Sequence, residues 1–214
     1  MRVFALILGI FFLTGCTVTT PAEPEAPAVD RSAMATDERT AVDAVNGFWR
    51  TRFPRVFDQP YRGPRVAGAY TGTNGPRCGG QPSVAFNAYY CRPGDYLAWD
   101  EELMAAGYRQ IGDAWVYLII AHEWGHAIQA RLEADLVSVA AELQADCLAG
   151  AALQGAAQDG VIAIEPGDAE ELAQTLAAVA DDYPWTDVSD HGNAEQRTDA
   201  FNSGVSGGIP ACIG

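Results

Sequence analysis

Two of the chain's three histidines stand four residues apart, in Ala121-His122-Glu123-Trp124-Gly125-His126. Residues i and i+4 of an α-helix share a face, so both imidazoles can reach one metal ion. Glu123 is one residue round the helix from His122, near enough to take a proton from an attacking water without becoming a ligand. Further on, Glu142 and Asp146 repeat the four-residue spacing in Glu142-Leu143-Gln144-Ala145-Asp146. Their neighbours Ala140, Ala141, Leu143, Ala145, Leu148 and Ala149 carry no charge, so the two carboxylates share a helix face otherwise poor in charge. A second helix crossing the first would deliver Glu142 as a third ligand and leave one position open. Asp146, one turn on, would accept the other ring N–H of a ligating histidine and fix its tautomer. The chemistry on offer is metal-assisted hydrolysis: His122, His126 and Glu142 hold Zn²⁺ and Glu123 is the general base.

Elements able to position these groups can be read on either side. Residues 114–132 are apolar nearly all round and predict a central core helix. Gly125 interrupts it at a cost of about 1 kcal/mol relative to alanine, which marks a close approach, here of the second metal-bearing helix. That second helix is expected from Val137 to Gln158. A first helix is expected over Ala41–Phe53, where Val42, Val45, Phe48 and Trp49 set the period. Residues 55–75 are Pro/Gly-rich and irregular or short-stranded. Ser83 to Tyr90 alternates as a strand, Arg92-Pro93-Gly94-Asp95 is a turn, and Tyr96 to Trp99 is a return strand. Helices follow from Gly167-Asp168 to Asp181 and from Asn193 to Asn202, the last ending near Gly204.

The N-terminus speaks of export. Met1-Arg2 is a minimal positive region, and the apolar run Val3 to Leu13 is too short to span a bilayer, which needs about 20 residues. Leu13-Thr14-Gly15-Cys16 resembles a bacterial lipobox, with Cys16 as the lipidated first residue of the mature chain. Residues 16–35, rich in Thr, Pro, Glu and Ala, read as a disordered tether. The expected organisation is a signal peptide over 1–15, the tether over 16–35 and one domain over 36–214, anchored to the extracytoplasmic side of a membrane in the cell envelope. With a net charge of −15 and all 13 basic residues arginine, the surface argues against nucleic acid or anionic lipid as partner. A monomer acting on a peptide or protein is expected.

Joined together, these blocks resemble the bacterial neutral zinc metallopeptidase family, of the glutamate-zincin pattern in which an ExxxD helix supplies the third ligand. Beyond the metal blocks the likeness takes in Cys78-Gly79, the segment Tyr90 to Asp100, the block His191-Gly192-Asn193-Ala194-Glu195-Gln196-Arg197, and Cys212. Trp124 and Ala127 depart from the family's habit at positions that are neither ligand nor base. The resemblance implies an α+β, mostly helical fold. Its zincin-like core would have two metal-bearing helices and a small hairpin or sheet over the active helix, whose edge strand pairs with extended substrate. It implies a zinc peptidase, which the lipobox at Cys16 would anchor to the membrane. The alternative is an envelope lipoprotein that holds zinc for stability only, or binds peptides without cutting; the intact Glu123 argues against the latter.

Four cysteines other than Cys16 lie in the exported domain, where disulfides persist, and three connectivities are open to them. The expected pairs are Cys78 with Cys91, stapling the hairpin, and Cys147 with Cys212, tying the tail to the metal-bearing helix. His191 lies in a loop before a helix and is the candidate for steadying the oxyanion, with Arg197, Tyr89 and Tyr90 as further candidates.

Overall fold

The computed structural model describes residues 28–187 and 190–213. Six helices and a three-stranded sheet follow in the order α1 (Arg31–Phe57), β1 (Arg65–Tyr70), β2 (Ala88–Cys91), β3 (Tyr96–Asp100), α2 (Glu101–Gln110), α3 (Ala114–Gln129), α4 (Ala141–Gln158), α5 (Asp168–Ala178) and α6 (Ala194–Gly207). A short 3₁₀ turn at Ala134–Leu136 precedes α4, and another, Ile209–Cys212, closes the chain. The fold is α+β and mostly helical, as expected.

α1 starts well before Ala41, and its first turns take in residues 31–35, which the sequence reading assigned to the tether. Asp30 is the reason: its carboxylate accepts from the N–H groups of Ser32 and Ala33, satisfying donors that a helix start leaves bare. Met34, Glu38, Ala41 and Val45 then continue one buried stripe into Phe48, Trp49 and Phe53. The signal, Cys16 and the remainder of the tether lie outside the described residues. Among the described residues no helix is long and apolar enough to cross a membrane.

β3 is the central strand, parallel to β1 and antiparallel to β2. The β2–β3 hairpin was expected, but β2 begins at Ala88, not Ser83. Phe86 sits in the left-handed region at φ 57°, its N–H donating to the Asp100 carboxylate at 2.7 Å, so regular pairing cannot start earlier. Asp100 also caps α2 by accepting from Glu102 N. α2 is a helix that hydrophobic periodicity did not reveal; its signal is the Asp100-Glu101-Glu102 start.

α3 is buried on nearly every side and forms the middle of the core. It crosses α4 at Gly125, where a Cβ would lie 2.8 Å from the Ala145 carbonyl oxygen and 2.9 Å from its Cα. The close approach read from that glycine is therefore made by α4, the helix that carries Glu142 and Asp146. α4 begins at Ala141 rather than Val137, because the Gln144 side chain takes the Ser138 N–H and the Leu136 carbonyl. α6 runs past Gly204, which is not a stop but a contact: a side chain there would collide with the backbone of Cys147. The disulfides pair Cys78 with Cys91 and Cys147 with Cys212.

Candidate metal centre

The α3–α4 crossing brings the two predicted pairs face to face. His122 Nε2 lies 3.1 Å from one Glu142 oxygen and His126 Nε2 lies 3.3 Å from the other. One ligand atom from each of the three residues falls within 4.8 Å of the other two. Two imidazole nitrogens and a carboxylate are the donor set of a catalytic zinc site, which keeps one position for water or substrate. The electrostatics point the same way. Burial works against a charge on His122, yet the carboxylates of Asp146, Glu142 and Glu123 outweigh it and push the imidazole up to about 10. Burial would raise Glu142, but hydrogen bonds from both histidines hold it far below the usual carboxylate range. The pocket is built to hold positive charge between these side chains, and a divalent cation fits it.

Asp146 lies behind the first of the two histidines. Fully buried, it lies 2.8 Å from His122 Nδ1. Burial would raise its pKa, but His122 and Arg197 hold it lowered. Arg197 is also buried; its Nε and one terminal nitrogen donate to the two Asp146 oxygens at 2.8 and 2.9 Å, and the other terminal nitrogen donates to the Val179 carbonyl. The guanidinium is thus committed to Asp146, not free for an oxyanion, although it borders the cleft. The hydroxyls of Tyr89 and Tyr90 are likewise taken, donating to the Pro76 carbonyl and to Asp95.

Glu123 does not join the ligand set. Its Oε2 accepts the Tyr90 N–H at 2.8 Å, so the outer edge of β2 turns a backbone donor toward α3. The cleft, about 630 Å³, is lined by Phe86 to Tyr90 on the strand side and by His122, Glu123, His126 and Glu142 on the helix side. His191 lines it too, half exposed, with Nδ1 3.4 Å from Asp181.

Two residues at the site were not singled out in the sequence. Gln129 accepts from His126 Nδ1 across 2.9 Å, and its amide nitrogen reaches Gln144, itself buried. Gln129 stands three residues after His126, on the same helix face, so its spacing was a usable signal. Gln144 lies between Glu142 and Asp146, and nothing in the sequence marks it.

The sequence profile described as "Putative neutral zinc metallopeptidase" matches residues 14–213. Two curated relatives, each named "Uncharacterized protein YpfJ", come from Escherichia coli strain K12 and from E. coli O6:H1 strain CFT073. Each is 29% identical over 219 residues, covering 89% of this chain and 71% of the relative. No solved structure matches.

Proposed function

The chain belongs to the neutral zinc metallopeptidase family, and on that premise we propose that it is a glutamate-zincin peptidase, lipid-anchored through Cys16 on the extracytoplasmic side of a bacterial membrane and acting as a monomer on peptides or proteins of the cell envelope. The observation that carries the reading is Glu142 set against both histidine Nε2 atoms while Glu123, one residue along α3, stays outside that set. Zinc, held by His122, His126 and Glu142, supplies Lewis-acid polarisation of the scissile carbonyl and lowers the pKa of water.

The chain's own groups do the rest. Glu123 takes the proton of the attacking water and passes it to the leaving amine. The Tyr90 N–H steadies the Glu123 carboxylate and keeps it aimed into the cleft. β2 is an edge strand beside that carboxylate and offers main-chain pairing to an extended substrate. Asp146 and Gln129 hold the two imidazoles by their Nδ1 atoms, so that both Nε2 atoms face the ligand position. His191 lines the cleft wall, which supports assigning it to stabilise the oxyanion. The anchoring rests on the lipobox likeness of Leu13-Thr14-Gly15-Cys16.

Metal analysis and peptide turnover on the same variants test the reading. Glu142→Ala is expected to lose most bound zinc and all activity. Glu123→Gln is expected to keep near-stoichiometric zinc while hydrolysis falls roughly 10²–10⁴-fold. Full zinc in Glu142→Ala, or undiminished turnover in Glu123→Gln, would sink it. For the anchor, Cys16→Ser should abolish acyl labelling; a wild type that takes up no label refutes that part alone.

A further inference from the structure

Gln129 and Gln144 are both buried, and every polar atom of their amides has a partner. Gln129 Nε2 donates to the Ala141 carbonyl at 2.6 Å and to Gln144 Oε1 at 3.1 Å. Gln144 Nε2 donates to the carbonyls of Leu136 at 2.7 Å and Cys212 at 2.9 Å, and Gln144 Oε1 also accepts from Ser138 N at 3.0 Å. Backbone groups leave no choice of orientation. A carbonyl can only accept and an N–H can only donate, so neither amide can be turned over without stranding buried groups. Gln144 therefore presents its oxygen to Gln129, and Gln129 must present its own oxygen to His126. That oxygen lies 2.9 Å from Nδ1 and can only accept, so Nδ1 carries the proton and Nε2 keeps the lone pair.

We propose that Gln129 and Gln144 are positioning residues which set the tautomer and orientation of His126, through a relay that ends on the Cys212 carbonyl in the C-terminal 3₁₀ turn. The inference rests on the metal reading above. The Cys147–Cys212 disulfide fastens that turn to α4, so the end of the chain is part of the apparatus that holds a metal ligand on α3. No charge is involved at any link. Selection of the tautomer passes from backbone carbonyls through two amides to the imidazole, and it needs only that each donor keep its acceptor.

The test uses the full chain and the near-isosteric variants Gln129→Met and Gln144→Met. Zinc affinity is read by competition with a chromogenic chelator, and the protonated nitrogen of His126 by imidazole ¹⁵N shifts in metal-free protein at alkaline pH. Gln129→Met is expected to bind zinc roughly 10–100-fold more weakly. Gln144→Met should lose less, and the double variant should lose no more than Gln129→Met alone, because a relay broken once cannot be broken again. The wild-type His126 should be protonated on Nδ1, a readout that needs no variant to fold. Replacing Cys147 and Cys212 together by alanine should weaken zinc binding in the same direction. Unchanged affinity in Gln129→Met, fully additive losses in the double variant, or a wild-type His126 protonated on Nε2 would each overturn the proposal. A wild type that binds no zinc would instead overturn the metal reading, and the tautomer would still decide the relay.

Discussion

His122 and His126 stand one turn apart on the same face of α3, and behind them lie two different kinds of support. Behind His122 is charge: the Asp146 carboxylate, without exposed surface, gripped at both oxygens by the buried Arg197. Behind His126 are neutral groups: Gln129, then Gln144, then backbone carbonyls. Both arrangements do one job, placing an acceptor at Nδ1 and turning Nε2 outward. They differ in what they need. A buried carboxylate must have a cation beside it, since taking either charge out of water alone costs several kcal/mol. An amide pair needs only geometry, but every one of its bonds must be made. Arg197 and Asp146 balance each other as a pair, and Glu142 is the carboxylate that faces both Nε2 atoms.

The comparison breaks most visibly at Arg197. Arg197→Leu leaves the buried Asp146 carboxylate with His122 as its one remaining partner, and urea denaturation of the chelator-treated protein should show a loss of about 3–5 kcal/mol. Gln129→Met, measured alike, should lose about 1–3 kcal/mol, the cost of leaving buried amide partners unpaired. Equal losses would mean that Asp146 simply takes up a proton when Arg197 is gone and that the two supports are not different in kind.

Next come the two disulfides, only one of which fastens the neutral support. Cys147 and Cys212 are 65 residues apart and Cys78 and Cys91 are 13 apart. Chain entropy assigns about 4 kcal/mol to the longer closure and about 3 kcal/mol to the shorter. Paired alanine replacements should therefore differ little in stability, while only loss of Cys147–Cys212 should weaken zinc binding. Equal zinc loss from both would detach the tail from the metal site.

The smallest effect concerns Glu38, which shows what the charged support would be without its arginine. Its carboxylate is buried beside the Trp99 Nε1–H. Desolvation, only partly offset by that hydrogen bond, pushes it up from 4.5 to about 7, whereas Asp146, with Arg197 and His122, is lowered. Between pH 4.5 and about 7 the folded state then holds more protons than the unfolded one, so this group's contribution to stability falls as pH rises through that window. Glu38→Gln keeps the acceptor for Trp99 and removes the titration. It should flatten the profile and stabilise the protein above pH 7 by about 1–2 kcal/mol, a figure discounted for partial solvent screening. Denaturation curves of the two proteins across that range decide it; a wild type whose stability rises over the window contradicts the sign.

What the sequence determined alone is what short-range geometry determines. Four-residue spacing on a helix put His122 with His126 and Glu142 with Asp146 on common faces before any fold was known, and Gly125 marked where the two helices had to meet. The β2–β3 hairpin followed from its alternation and turn, and both cysteine pairs were among three open choices. The early start of α1 and the whole of α2 were missed because they begin on caps, Asp30 and Asp100, whose effect is local while apolar periodicity is what the eye follows. Only the tertiary structure could decide what holds the groups behind the histidines in place. Arg197 meets Asp146 from 51 residues away, and Cys212 meets Gln144 from 68. Buried polar groups choose partners by position in space rather than along the chain, so Gln144, flanked by louder neighbours, gave no sign of itself until α3, α4 and the C-terminal turn were packed together.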